Sequence, residues 1–453
     1  MPNEFTDPDG PAPPLPPVSA STGIVRRMYG NLAKLMGGKA IAGLLSLVYM
    51  LIAIRALGAK DYGVLILVHT FTITVGGIIE FPGWHAVVRY GAQATEAGDL
   101  GRLVRLLRFT AVVELAGGAL AVATAAILAP IIGPHLGWTP TALSFALPYS
   151  LAVLATIRST PAGYLQLLGR FDLLGVHNVV APSVRLVGAG VAAASGAGLH
   201  GFLVAWLVAA LAEWASMWAF GLWLARGRLQ GLALIGSARG AVAENPGIGW
   251  FMIAANADIT FSDLAQRLTA LTVGWVLGPA ATGIYSLAQR ATSVIAQPAG
   301  NLGQATYAEF ARLIAGGGRG IEVRRVFLKA VLVAFAVAVP FVVIVAFFGR
   351  PLARWMGGAQ FGPAGDIMVW LFAARAILLV GPPASAALVA LGRPGLSFGA
   401  NLASSIGLLP FLPLLLGGLG LMGTGLYAVV QAIAAATMLS LLLWRESPRR
   451  LPT

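Results

Sequence analysis

"LTVGWVLGPAATGIYSLAQRATSVI", Leu271–Ile295, repeats the spacing of "LIAIRALGAKDYGVLILVHTFTITV", Leu51–Val75. Leu57-Gly58 stands over Leu277-Gly278, Gly63 over Gly283 and Leu67 over Leu287, all at an offset of 220 with no gap. Each copy joins one apolar run to the next through a few small residues. Leu and Gly are common in this chain, so one match is weak; a second strengthens it. "LQLLGRFDLLGVHNVV" sets Leu168-Gly169-Arg170, Leu173 and Asn178 over Leu391-Gly392-Arg393, Leu396 and Asn401 of "LVALGRPGLSFGANLA", at an offset of 223. Two landmarks at nearly one offset, each between corresponding apolar runs, describe a duplicated chain.

Composition says where such a chain lives. Apolar residues are 58% of the 453, charged residues 10%, and the mean hydropathy is +0.82. A soluble protein carries about 25% charged residues. This chain cannot cover itself with polar groups, so lipid must face much of it. A bilayer-spanning helix needs ~20 largely apolar residues, which leaves room for about a dozen. The net charge of +13 does not point to nucleic acid, because the basic residues lie in short stretches between apolar runs instead of in one soluble module. There is no cysteine, which excludes disulfides and thiolate metal sites.

Apolar runs of bilayer length give spans at 36–57, 62–88, 108–133, 141–167, 172–195 and 199–225, then 247–277, 280–308, 326–349, 364–391, 394–417 and 420–444. The fold class expected is an all-α polytopic membrane protein of about 12 transmembrane helices. They form two six-helix bundles, 23–225 and 247–445, joined by a basic cytoplasmic linker at 226–246. The acidic, Pro-rich stretch 1–22 and the segment 446–453 read as cytoplasmic tails. With the N-terminus inside, 21 Lys/Arg fall on inner segments, four on outer ones and five within spans. That asymmetry orients both termini to the cytoplasm. Six spans per half is even, so a pseudo-two-fold axis along the membrane normal relates the halves.

The interior carries the functional signal. Pro82, Pro161, Pro182, Pro298, Pro340, Pro382-Pro383, Pro410 and Pro413 interrupt spans, as suits bundles that bend around a cavity. In "GAGVAAASGAG" the small residues Gly188, Ala192 and Gly196 recur every fourth position, a helix-packing pattern. An ionisable group at depth is costly and faces protein or water. Arg158, Arg185, Arg267, Arg290 and Arg375 lie within spans, with Glu80, Glu114, Glu213, Asp258 and Asp263. Structural pairing accounts for some: Asp263 with Arg267 at i,i+4, and Arg185 with Glu213 at mid-depth on consecutive spans. Glu114, near an inner end, is placed to reach water. Arg290 and Arg375 have no evident acidic partner. Arg267 and Arg290 are equidistant from the turn "LGPAATG", so they share a level and, with Arg375, suggest a cationic chamber. Arginine forks match phosphate oxygens, and no lysine lies at depth. Arg185 and Arg158 are further cavity candidates. Asp258, Glu80 and Asp263 are candidates for proton or sodium coupling.

Other chemistry is missing from the sequence. There is no phosphate-loop motif and no paired-histidine metal spacing, so no cofactor is expected. His69, His85, His135, His177 and His200 are read as uncharged structural or interfacial residues. The stretch "GRPLARWMGGAQFGP" at 349–363 is the nearest approach to a catalytic outer loop, and it is short.

Four stretches carry a family likeness: "IRALGAKDYGVLIL" at 54–67, "WHAVVRYGAQ" at 84–93, "LLGRFD" at 167–172 and "VGWVLGPAATGIYSLAQR" at 273–290. With the 6 + 6 layout, the chain over 23–445 resembles the O-antigen type polysaccharide exporters of the multidrug/oligosaccharidyl-lipid/polysaccharide superfamily. The resemblance implies a V-shaped pair of bundles in the bacterial inner membrane. Such a protein flips a polyprenyl-pyrophosphate-linked oligosaccharide outward by alternating access, gripping its pyrophosphate with cavity cations. Expected partners are that lipid-linked oligosaccharide, membrane lipids and polysaccharide-assembly proteins, and no nucleic acid. Three other readings stay open at this point: a cation-coupled drug or metabolite antiporter of the same fold, a major-facilitator carrier, and a membrane polysaccharide polymerase or ligase. The long loop between the second and third spans and the short central linker argue against the major-facilitator carrier.

Overall fold

The computed structural model describes the backbone over 21–80, 83–229, 232–315 and 320–446. Side chains within 21–34, 253–260, 293–309, 311–312 and 314–320, and at 262, are not described. Pro82 and almost all of both tails therefore lie outside the described residues, and Pro298 and Asp258 outside the described side chains.

Every regular element among the described residues is helical. The first half runs α1 (Ser21–Ile79), α2 (Trp84–Glu96), α3 (Leu100–Ile132), α4 (Pro140–Ser144), α5 (Ala146–Tyr149), α6 (Ser159–Leu167), α7 (Phe171–Ala194) and α8 (Gly198–Arg228). A short α9 (Ala241–Glu244) lies in the linker. The second half runs α10 (Ile248–Ala315), α11 (Gly320–Gly357), α12 (Gly362–Leu378), α13 (Gly381–Ala390), α14 (Pro394–Ser405), α15 (Leu412–Leu419) and α16 (Met422–Glu446). Among the described residues, nine helical segments are long and apolar enough to cross a bilayer.

The 59 residues of α1 and 68 of α10 would each exceed ~85 Å at ~1.5 Å per residue, far beyond a ~30 Å hydrocarbon core. Each is interrupted once, at the glycine the repeat aligns: Gly58 at φ 71°, ψ −179° and Gly278 at φ 82°, ψ 177°. A side chain rarely tolerates that conformation. The second landmark matches at the same resolution. Gly169 and Gly392 have φ 68° and 76°, and around them Arg170 N donates to Leu165 O and Arg393 N to Leu388 O, both at 2.9 Å. This is a Schellman helix end built twice.

The two glycine turns meet. A Cβ on Gly63 would fall on the Pro279 carbonyl oxygen, and one on Gly283 would fall on the Ala59 carbonyl oxygen. Since Ala59 and Pro279 are themselves equivalent in the repeat, the contact is reciprocal, as a two-fold axis requires. Around it one hydrophobic core joins the halves, with Ile54, Leu65 and Leu67 packed beside Val273, Leu287 and Phe361. Arg55 donates to Trp355 O at 2.8 Å, and the Gln360 side chain accepts from Ala59 N at 3.3 Å.

Away from this end the core divides into smaller clusters. Phe310, Phe327, Leu388 and Leu443 form one in the second half. Val87, Leu103, Tyr164 and Leu224 form another in the first. A core shared at one end and separate at the other describes two lobes meeting in a V. One exception is α10, whose first turns, at Ile248 and Met252, pack on Ala86, Tyr90 and Leu106 of the first lobe.

The linker is held as well. Arg102, Arg105 and Arg108, one turn apart on α3, reach along it. Arg102 Nη2 donates to Asn245 Oδ1 at 3.0 Å, Arg105 Nε to Glu244 Oε2 at 2.9 Å and Arg108 Nη1 to Ser237 O at 2.9 Å. Of the small-residue stripe, Gly188 abuts Ala205 on α8. Gly196 instead forms the left-handed turn that ends α7, at φ 64°.

Candidate functional site

Two spans read as continuous from the sequence are broken, and the breaks face each other. The run 62–88 stops at Ile79 and resumes at Trp84. The run 141–167 is α4, α5, a 3-10 stretch over Ser150–Thr156, and then α6. Gly76, just before the first break, lies so close to the second that its Cβ would sit 2.9 Å from Thr156 Oγ1.

Broken backbone inside a membrane must find other partners, and here it does. The Ile157 carbonyl accepts from Trp218 Nε1 at 2.8 Å. The Ser159 and Thr160 N–H groups, which open α6, both donate to the Glu114 carboxylate, the second at 2.8 Å. Glu114 is therefore 2% exposed and a structural acceptor. Its expected approach to water is corrected: its carboxylate is consumed by the start of a neighbouring helix. Glu80, at the other break, accepts from Ser159 Oγ at 3.1 Å.

The break aims Arg158 inward. Its Nη1 pairs with Glu213 and also approaches His177 Nε2 at 2.9 Å. The Arg185–Glu213 pair expected from depth is thus replaced, because Arg158 reaches Glu213 from the interrupted span. Arg185 turns to Tyr49 Oη at 3.4 Å and His69 Nε2 at 3.2 Å, its guanidinium 5.7 Å from the Trp206 ring centroid and 5.9 Å from that of Tyr49. Arginine only donates, so both Nε2 atoms accept and both Nδ1 atoms carry the proton. His69 Nδ1 then donates to Tyr149 Oη at 3.0 Å and His177 Nδ1 to Ser216 Oγ at 3.1 Å. These two histidines hold the arginines without cancelling their charge. Arg185 Nε is buried with no acceptor.

Four adjoining hollows lie between and within the lobes. The first-lobe hollow, about 470 Å³, is lined by Arg158, Arg185, Arg267, Glu80 and Asp263 among others. A central hollow of about 440 Å³ carries Arg185, Arg290 and Arg375 with Tyr49, Tyr62 and Trp206. A second-lobe hollow of about 260 Å³ is reached past Arg375. A fourth, about 270 Å³, beside Arg267 and Gln289 adjoins these three.

The grouping differs from the one drawn by depth alone. Arg267 donates from Nη1 to Ile73 O at 2.9 Å and has Asp263 at 3.8 Å, so the i,i+4 couple forms loosely and this arginine faces the first-lobe hollow. Arg185 takes its place beside Arg290 and Arg375. No acidic or hydrogen-bonding partner reaches Arg375 among the described residues. Asp258 lies outside the described side chains. The structural histidine and tyrosine acceptors had no sequence signal beyond their position in apolar runs. Among the described residues no cluster of His, Asp and Glu could hold a metal ion.

The 349–363 stretch contains no catalytic loop: α11 continues to Gly357, and a 3-10 turn at Ala359–Phe361 leads directly into α12. There Arg350 is paired with Asp366 at 2.5 and 2.9 Å.

Comparison with known proteins extends these observations. A family model described as polysaccharide biosynthesis protein matches residues 52–365. The inner membrane protein YghQ of Escherichia coli (strain K12) is 26% identical over 350 residues, covering 76% of this chain and 97% of that protein. Among solved structures, an inward-facing multidrug resistance MATE family transporter of the MOP superfamily aligns with a TM-score of 0.65 at 14% identity, over 93% of this chain and 98% of its own. An outward-facing MATE family transporter aligns at 0.56 and 15% identity, over 93% and 95%. At such identities the likeness is one of fold: two helical lobes of the MATE type.

Proposed function

The chain belongs to the polysaccharide biosynthesis protein family, and on that premise we propose that it flips a polyprenyl-pyrophosphate-linked oligosaccharide across a bacterial inner membrane. The observation that carries this is the central hollow, where Arg185, Arg290 and Arg375 meet between the lobes and Arg375 is left without an acceptor among the described residues. Three forked cations around a wet hollow suit a doubly charged pyrophosphate.

Alternating access would move this hollow between faces. With the N-terminus inside, the joined end at Gly63 and Gly283 faces outward, and the parted end opens to the cytoplasm, where such lipids are assembled. Coupling to protons or sodium belongs to the same proposal, through Glu80 and Asp263 in the first-lobe hollow. That acid-bearing hollow also supports a second reading, a cation-coupled antiporter. The arginines beside it argue against a cationic cargo.

The test is a flipping assay in vesicles with a fluorescent polyprenyl-pyrophosphoryl sugar. Arg375→Ala should slow flipping roughly 10- to 100-fold, the value of a charge-assisted hydrogen bond at ~1.5–3 kcal/mol. Arg375→Lys should recover part of the rate. Wild-type flipping by a normally inserted Arg375→Ala variant would remove the basis of the proposal.

A further inference from the structure

The polar groups of the two lobes are spent differently. In the first lobe Arg158 bonds to Glu213 and His177, and Arg185 to His69. In the second-lobe hollow the glutamine amides do not. Gln266, Gln289 and Gln431 line it, and none of their side-chain amides makes a hydrogen bond among the described residues. Gln289 and Gln431 are half-buried and Gln266 is exposed. Three amides lining one hollow, with no protein partner of their own among the described residues, are placed for a ligand that both donates and accepts. The rings of Tyr285 and Tyr427, both on the wall, add flat apolar faces.

We infer that this second-lobe hollow is a glycan subsite, taking the sugar joined directly to the pyrophosphate. The inference rests on the flippase reading above and deepens it. Sugar hydroxyls donate and accept in every direction, which amides match and guanidinium forks do not. Position supports the same occupant. Arg375, Gln289, Thr292 and Gln266 line both this hollow and the central one, so a headgroup held by Arg375 places its next unit here. In the substrate that next unit is the first sugar. At about 260 Å³ the hollow equals roughly nine waters of ~30 Å³, room for one ring and not for a whole oligosaccharide. The Asp263 carboxylate on its rim accepts hydroxyls and repels phosphate, which keeps the two ends of the headgroup in order.

The test compares binding of four short-chain polyprenyl lipids to the full-length protein in detergent. One is the bare pyrophosphate; the others carry glucose, galactose or N-acetylglucosamine on it. Wild type should bind at least one sugar-bearing lipid about tenfold more tightly than the bare one. Gln431→Met, at a residue that lines the second-lobe hollow and not the central one, should lose part of that gain, roughly one hydrogen bond's worth, while its affinity for the bare lipid stays unchanged. Should this variant also lose the bare lipid, Gln431→Asn replaces it, expected to lose part of the gain and none of the affinity for the bare lipid. No sugar-dependent gain in wild type, or full retention of it in the variants, overturns the subsite and leaves the flippase reading standing. Binding of none of the four lipids overturns both.

Discussion

Replacing Gly63 with valine is expected to force the joined ends of the two halves apart and to reduce transport at least about fivefold. The reason is local and rigid. The first atom of any side chain at Gly63 falls on the Pro279 carbonyl oxygen, and backbone has no rotamer by which to yield. Overpacking of this kind costs ~1–3 kcal/mol or more, which shifts a two-state equilibrium by a factor of roughly 5 to 150 toward the state that lacks the contact. Spin labels at Lys60 and Ala280, both exposed, should report one short separation in wild type and a longer, broader one in Gly63→Val. Gly283→Val should do the same, because its Cβ meets the equivalent Ala59 carbonyl. Gly43→Val is the control, with nothing within 4 Å of the added carbon. Unchanged separations in both variants would mean that this end does not part during the cycle.

The second large effect is on stability. Glu114→Ala should lower the stability of the first lobe by about 2–4 kcal/mol, because two buried N–H groups at the start of α6 lose their acceptor at ~1–3 kcal/mol each. No water replaces it at a site 2% exposed. Glu114→Gln keeps one accepting oxygen and should lose about half as much. The readout is the unfolding midpoint in detergent, with Arg105→Ala as comparison. Its pair with Glu244 is about a third exposed on both sides, where removal costs at most ~1 kcal/mol. An unshifted midpoint for Glu114→Ala would show that the α6 start finds other acceptors.

These two residues also mark how far the sequence could be read. Gly58, Gly63, Gly278 and Gly283 declare themselves because a turn's backbone requirement is local, and duplication writes it twice. Apolar length marks the long helices for the same reason. Partnering is different. Glu114 and Glu213 were assigned by depth, which fixes height in the membrane but not the rotation of each helix about its axis. The break at Ile157–Ser159 carries no strong mark in an apolar run whose prolines, Pro148 and Pro161, lie several residues away or already inside the next helix. Once it forms, Arg158 swings to Glu213, Glu114 is drawn to the new helix start, and Arg185 is released toward the central hollow. One unforeseen interruption thus rearranges three assignments. The glutamines of the second lobe escaped notice for another reason: a neutral amide in a membrane span costs too little to stand out.

The three arginines along α3 have a mechanical corollary. Because they fasten the connector to the first lobe between Ala233 and Asn245, the connector is not a slack leash. Severing the chain near Ala238 with an inserted protease site should leave both pieces together and working. The swivel between halves then falls beyond Pro246, whose carbonyl Tyr90 still holds at 3.0 Å.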